Sequence, residues 1–389
     1  MIKIGVVVQR YGIDVLGGAE TLARSIAERL NSSGFDLTVF TTTAKDYITW
    51  KPHYKEGGSI LKGVEIRRFD VEQTRDIESF NRYSESFFQK DQKEKSEEVQ
   101  WIDKQGPLAP GLLKDMEKEQ DNYDLFIFFT YLYYTTVKGM ELIKKPVIMF
   151  PTAHDELPIH LDIMNKVFKR PDSFFFLTDA EMNFIKNKFN PPGRMNLLRT
   201  GVDIMENTDE TLFRKKFRIV APFIMYAGRI EKGKGLEVVF EAFREIRKKS
   251  VVDLVLMGKK LMDIPDEDGI KYVGFVSEEE KLSAFKAALF SIQPSPLESL
   301  SITTLESFSQ KTPVLVNKKC NVLMEHVKLS DGGYSYENKE QFIDNFYKLS
   351  RETGKSKIKG QKGFQYVKKY FSWEIVIGKI KNEINFLMK

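Results

Sequence analysis

Short apolar runs alternate with amphipathic stretches along this chain, and the alternation occurs twice. In the first half, Ile2–Val8, Asp36–Thr41, Asp124–Phe129, Val147–Phe150 and Phe174–Leu177 have the length and composition of buried strands, with Val64–Phe69 and Met195–Leu198 as weaker members. Between them, Leu22, Ile26, Arg29 and Leu30 are spaced for one helix, and Gly34 suits its C-terminal cap. Residues 134–144 and 180–188 predict further helices, with Thr178 or Asp179 as the N-cap of the latter. Arg75 to Lys104 reads as a polar, aromatic helical stretch with Trp101 near its end. Gln105-Gly106-Pro107 breaks it, and a helix resumes over Leu112–Glu119. Residues 203–221 read as linker. A second series then follows, with strands over Phe223–Ala227, Val252–Met257, Ile270–Val273, Leu289–Ile292 and Val314–Val316 and helices over Leu236–Lys249 and Ser277–Ala287. The remainder is mostly helical and ends in an amphipathic helix over Trp373–Met388. Strands alternating with helices in both halves predict two doubly wound parallel α/β sheets.

Within the second series, the strand at Leu289–Ile292 runs into a Pro294-Ser295-Pro296 turn, then Glu298, then a Ser/Thr-rich helix start. Glu298 lies in the turn, and Glu306 about two helical turns on, with seven residues between them. Both therefore can border one crevice at the carboxyl end of a strand, where open α/β sheets bind ligands. Two Gly-rich loops have related positions. Gly17-Gly18 follows the first strand and points at a helix N-terminus; it is either a tight turn or a close approach of backbone to a ligand. That loop has neither the Gly-Lys-Ser/Thr of a phosphate loop nor GxGxxG, and the second strand ends in Thr41-Thr42-Thr43 rather than in an acid for an adenosine ribose.

The second loop runs from Gly228 to Gly235 and carries Arg229 and Lys234. Cations before a helix N-terminus oppose its dipole. A diphosphate between them would justify the placement, accepting a guanidinium fork and an ammonium together; a solvated basic turn is the alternative. On the same reasoning Glu306, acceptor-only, suits the vicinal hydroxyls of a ribose, or else it faces solvent. Among four histidines, none has metal-ligand spacing, and Asp266-Glu267-Asp268 reads as a solvated loop rather than a metal motif. His154 closes a strand beside Asp155; a core histidine is its alternative.

Composition narrows the class. A chain of 389 residues with 42% hydrophobic content predicts two domains. The balance of 60 basic against 55 acidic residues leaves +5, with no block of like charge to form a nucleic-acid arm; it is compatible with a weak attraction to an anionic membrane surface. A single cysteine, Cys320, excludes an intrachain disulfide framework and suits a reducing cytosol. No apolar run approaches membrane-spanning length, and the start is read as a strand rather than a signal peptide.

Taken in order, five motifs resemble the retaining glycosyltransferases of family 4, which have the GT-B fold: Gly17-Gly18-Ala19-Glu20, Ala153-His154-Asp155, Gly201-Val202-Asp203, Gly228-Arg229 through Lys234-Gly235, and the E-x7-E of Glu298 and Glu306. The resemblance implies two Rossmann-like domains facing a central cleft: an acceptor-side domain over 1–202, a nucleotide-sugar domain over 203–372, and a helix over 373–389 crossing back onto the first. It implies that Arg229 and Lys234 hold the donor's diphosphate, Glu306 its ribose and Glu298 the sugar hydroxyls. His154 would contact the sugar near its reacting face. Gly17, Gly18, Gly228 and the turn Ser299-Leu300-Ser301-Ile302 complete the donor site. Two departures stand out. Ser299 and Ser301 replace the family's usual glycines, and Thr200 precedes Gly201 where the family has asparagine.

The activity implied is transfer of a sugar, with retention, from a UDP- or GDP-sugar to a glycan or lipid-linked glycan acceptor, in the cytoplasm or at the membrane's inner face, with no metal, cofactor or nucleic acid. A nucleotide-sugar 2-epimerase, a phosphorylase and a non-catalytic nucleotide-sugar binder share the architecture and stand as alternatives. The aromatic insert from Tyr83 to Pro110 either stacks acceptor sugars or packs on its own domain.

Overall fold

The computed structural model describes every residue except Leu16, Glu206, Asn207 and Ser299. The chain forms two compact units, one of Met1–Leu198 with Ile377–Lys389, the other of Arg199–Val376.

The first unit is built on eight strands: β1 (Lys3–Val7), β2 (Asp36–Thr42), β3 (Gly57–Leu61), β4 (Val64–Phe69), β5 (Leu125–Phe129), β6 (Val147–Phe150), β7 (Ser173–Phe176) and β8 (Arg194–Leu197). Their order across the sheet is β3-β4-β2-β1-β5-β6-β7-β8. All neighbours are parallel except β3, which turns back on β4 through Lys62-Gly63. The centre is covered on both faces: every residue of β5, LFIFF, is buried. Such strands read as continuous apolar runs, which is why the sequence marks them clearly. The hairpin strand β3 was not predicted, because GGSIL is mostly exposed and pairs on one edge only.

The helical stretch after β4 is two helices, Ile77–Phe88 and Lys95–Gln105, not one. Glu94 and Glu97 form a reciprocal capping box that starts the second. Trp101 faces inward, 3% exposed, against Phe80, Phe87 and Phe88, so this ring is packed on its own domain.

The second unit holds β9 (Phe223–Ala227), β10 (Asp253–Met257), β11 (Ile270–Tyr272), β12 (Ser291–Gln293), β13 (Val314–Asn317) and β14 (Gly333–Tyr336), all parallel in the order β11-β10-β9-β12-β13-β14. The strand order reverses between β9 and β12, and the loops leaving those two strands carry the candidate residues. The stretch 203–221 is more than linker. It contains the helix Glu210–Phe217, capped by Asp209 and anchored by fully buried Phe213.

Gly201 shows why its position excludes a side chain: a Cβ there would stand 2.1 Å from the ring of Trp373. The last helix, Trp373–Leu387, changes unit at Ile377. Beyond that point Ile380 and Ile384 are fully buried, and Glu383 accepts from Ser173 Oγ and Arg194 Nε, both at 2.8 Å.

Candidate donor and reaction sites

β9 ends at Ala227, and the basic loop leaves from there. Gly228 N–H donates to Met257 O at 3.0 Å, and Ile230 exchanges backbone bonds with Lys259 and Leu261, so the loop is laced to the exit of β10. Gly235 has φ 75°, and a Cβ on it would meet Pro294 O at 2.4 Å. Only glycine lets this loop lie against the turn that follows β12. That approach delivers Lys234 to Glu298: Nζ to Oε1 is 2.8 Å, with both side chains about a fifth exposed, and Ser295 Oγ lies at 3.5 Å from the same ammonium. Arg229 is nearly half exposed and pairs with Glu231 at 3.2 Å. Arg229 and Lys234 thus each rest on a carboxylate that an anionic ligand would have to replace or share.

The turn after Glu298 is the part that departs from the family pattern. Ser299 lies outside the described residues. Leu300 is buried, and Ser301 has φ 61°, the left-handed region that favours glycine and costs other residues roughly 1–2 kcal/mol. Ser301 therefore holds a backbone shape that glycine adopts without strain. Its hydroxyl is engaged with Thr304 Oγ1 at 2.9 Å. Ile302 is the first residue of the helix Ile302–Ser309.

His326 pins this turn. Its Nε2 lies 2.6 Å from Leu300 O, and Nδ1 meets Tyr366 OH at 3.1 Å. Burial pushes its pKa down to about 4, so the ring is neutral near pH 7 and its Nε2 proton is the one given to the carbonyl. No spacing rule could flag a residue 26 positions from the carbonyl it holds.

Glu306 lies on the buried side of its helix, 8% exposed. Its Oε1 accepts from Lys281 Nζ at 2.8 Å, and Lys281 also meets Glu278 at 2.9 Å. Its Oε2 is buried and, among the described residues, has no hydrogen-bond partner. Burial pushes this carboxyl above its usual range, with Lys281 opposing and Glu278 adding to the rise. The solvent-facing alternative for Glu306 is therefore not what the fold builds. The two glutamates of E-x7-E answer to different cations, Lys234 and Lys281.

In the first unit, His154 follows β6, with Nε2 3.4 Å from Glu156 Oε2. Its carboxylate neighbour is thus Glu156; Asp155 turns to His160 at 2.7 Å. Burial pushes the Glu156 carboxyl up, but hydrogen bonds with His154 and Tyr131 outweigh it and hold the group below its usual range. Below this loop sits Glu181, 3% exposed, which accepts from Ala153 N–H at 2.7 Å and Leu177 N–H at 2.9 Å. Burial raises its pKa to about 7.

A carboxyl raised on folding binds its proton more tightly in the native state. Its stabilising contribution is complete below the unfolded value and is lost as pH rises through about 7. Urea unfolding of Glu181→Ala should therefore show a shallower fall in stability between pH 4.5 and 7 than wild type. Parallel curves would refute the assignment.

Gly17 precedes the helix Gly18–Ser32, and a Cβ on it would stand 2.0 Å from Glu20 Oε2. Glu20 is itself buried, accepting from Gln9 Nε2 at 2.7 Å and from Arg10. The acid of the first motif therefore closes the loop onto the end of β1. A Cβ on Gly18 would meet nothing within 4 Å, which leaves its backbone open. In the acidic loop, Glu267 and Asp268 pair with Arg244 and Arg247. Among the described residues, no cluster of three His, Cys, Asp or Glu side chains is placed to hold a metal ion, and no helix is long and apolar enough to cross a membrane.

Two sheets, parallel but for β3, with candidate residues on loops at strand ends and the likeness to the solved structures below, give the GT-B fold. Sucrose-phosphate synthase (tll1590) from Thermosynechococcus elongatus superposes with a TM-score of 0.75 at 14% identity, covering 100% of this chain and 99% of that one. Anabaena Alr3699/HepE, solved in complex with UDP and glucose, gives 0.72 at 14% identity over 99% and 100%. WaaG, a glycosyltransferase involved in lipopolysaccharide biosynthesis, gives 0.66 at 14% over 98% and 99%. Residues 209–364 match the family model described as glycosyl transferases group 1. No curated protein matches it by sequence.

Proposed function

We propose that this protein is a retaining glycosyltransferase that moves a sugar from a nucleoside-diphosphate sugar to a hydroxyl of a glycan or lipid-linked glycan. The observation that carries the reading is the pairing of Lys234 with Glu298, together with the buried, half-satisfied Glu306, on loops and a helix that follow β9 and β12. In the reaction, the bond from the anomeric carbon to the diphosphate oxygen breaks and a bond to the acceptor oxygen forms. The acceptor's proton passes to a donor phosphate oxygen. Negative charge grows on the diphosphate as it leaves, and Lys234 and Arg229 are the fixed cations that stabilise it. Their charge is the reason to propose a metal-independent step.

A uracil nucleotide is the favoured donor component, because HepE was solved with UDP and with UDP-glucose; a GDP-sugar is the other candidate. A role in cell-envelope glycan assembly is part of this proposal, supported by the likeness to WaaG, which is involved in lipopolysaccharide biosynthesis. On the acceptor side, the first unit has a cavity of about 190 Å³ lined by Trp50, Arg75, Phe80, Tyr83, Asp103 and Lys104.

Incubation of the protein with UDP-, GDP- and ADP-sugars, followed by NMR, tests the reading. The expected result is slow hydrolysis of one donor alone, transfer with an α- or β-anomer matching the donor's once acceptor is added, and no change on adding EDTA. Isomerisation of the donor without acceptor would establish an epimerase instead. Binding without turnover would make it a nucleotide-sugar binder, and loss of turnover in EDTA would refute the metal-independent step.

A further inference from the structure

The two oxygens of Glu306 are held differently. Oε1 takes the Lys281 ammonium at 2.8 Å, while Oε2 is buried and, among the described residues, meets no donor. Native structures pair nearly all buried polar atoms, so this left-over oxygen on the buried side of the helix calls for a partner. Lys281 comes from the neighbouring helix Glu278–Ala287, and its second partner, Glu278, is mostly exposed. The other elements packed on the Glu306 helix meet it through uncharged groups. Ser291 of β12 bonds Ser307 at 2.9 Å, Thr312 O before β13 accepts from Ser307 Oγ at 3.0 Å, and Gly363 of the helix Thr353–Tyr370 lies against the Phe308 ring. The charged groups that bear on Glu306 are thus Lys281 and Glu278.

We infer that Lys281 is the positioning residue of the donor site: by occupying Oε1 it fixes the Glu306 carboxylate so that Oε2 is presented to the ribose hydroxyls of the nucleotide. This rests on the reading of Glu306 as the ribose acceptor and adds the residue that makes it one. A carboxylate without this anchor would lose its orientation. It would also lose its charge, because a buried carboxylate without a cation resolves the cost by taking up a proton. A protonated acid has less capacity to accept from a diol. Lys281 therefore acts on nucleotide binding through Glu306 and need not touch the ligand.

The test is calorimetric titration of the full chain with UDP and with 2′,3′-dideoxy-UDP from about pH 6 to about pH 9. Wild type should prefer UDP across the range. In Lys281→Met that preference should fall by about tenfold at the acid end and recover towards the alkaline end, one pH unit of Glu306 titration being about tenfold in its ionised fraction. Affinity for the dideoxy analogue should stay within about twofold. Lys281→Arg should restore the preference. In a Glu306→Gln background, adding Lys281→Met should change nothing further. Equal loss for both nucleotides at every pH would mean that Lys281 only supports the fold, and an unchanged UDP preference would also overturn the inference. Should Lys281→Met fail to fold, a Lys281→Arg variant with no UDP preference overturns it alone. A wild type that binds both nucleotides equally would instead refute the ribose assignment of Glu306, and the inference with it.

Discussion

Lys234→Ala should lower kcat for sugar transfer by about a hundredfold, and Arg229→Ala by more than about tenfold, with circular dichroism unchanged in both. The larger effect is assigned to Lys234 because its ammonium is mostly shielded from solvent, whereas Arg229 is more exposed and screened. Removing one fixed group that stabilises developing charge typically costs roughly 3–4 kcal/mol of barrier, which sets the upper end of the range. A leaving diphosphate gains charge late, so the loss should fall on kcat more than on donor KM. The fold should survive because Lys234 contributes no core packing, and its removal leaves Glu298 still about a fifth exposed to water. Normal turnover in both variants would end the diphosphate assignment. Steady-state kinetics with the donor identified by NMR decides it.

How legible the site was in the sequence depends on the kind of residue. The central strands were plain, because a strand buried on both faces must be apolar throughout, as in LFIFF of β5. The edge strand β3 and the short β14 carry no such signal, since exposed or brief pairing imposes little on composition. Charged candidate residues on turn-rich loops were also legible: Arg229 and Lys234 lie among glycines and Glu298 follows Pro294-Ser295-Pro296, and they have no reason to cluster around turn residues unless the loops meet. Gly235 explains how they meet, through its approach to Pro294.

The supporting residues were not legible. Lys281, His326 and Glu181 act across 25, 26 and 28 positions of sequence, respectively, on Glu306, Leu300 and Ala153. Each sits in a helix where a lone charged or aromatic side chain looks ordinary. Only the packing of helices on a sheet assigns them partners. Ser301 shows a third case. The sequence shows only a serine at that position, while the structure gives it the left-handed conformation and ties it to Thr304.

Glu298→Gln should move binding and turnover in opposite directions. Glu298 Oε1 is the partner of the Lys234 ammonium at 2.8 Å, so it competes with any diphosphate for that cation. Its own charge also repels an approaching diphosphate. Neutralising it frees Lys234 and removes the repulsion, so UDP alone should bind about three- to tenfold more tightly. With a sugar on the donor, the balance changes. Once phosphate takes over Lys234, the released carboxylate is an acceptor-only group able to take hydrogen bonds from sugar hydroxyls and orient the anomeric carbon. Glutamine offers one acceptor oxygen and no charge there, so kcat should fall by about tenfold to a hundredfold. Calorimetry with UDP and kinetics with the intact donor give the two readings. A fall in both would mean that Glu298 holds the loop rather than the sugar, and unchanged kcat would remove it from the reaction. Tighter UDP with slower transfer is the pattern that only an exchange of Lys234 between carboxylate and phosphate produces.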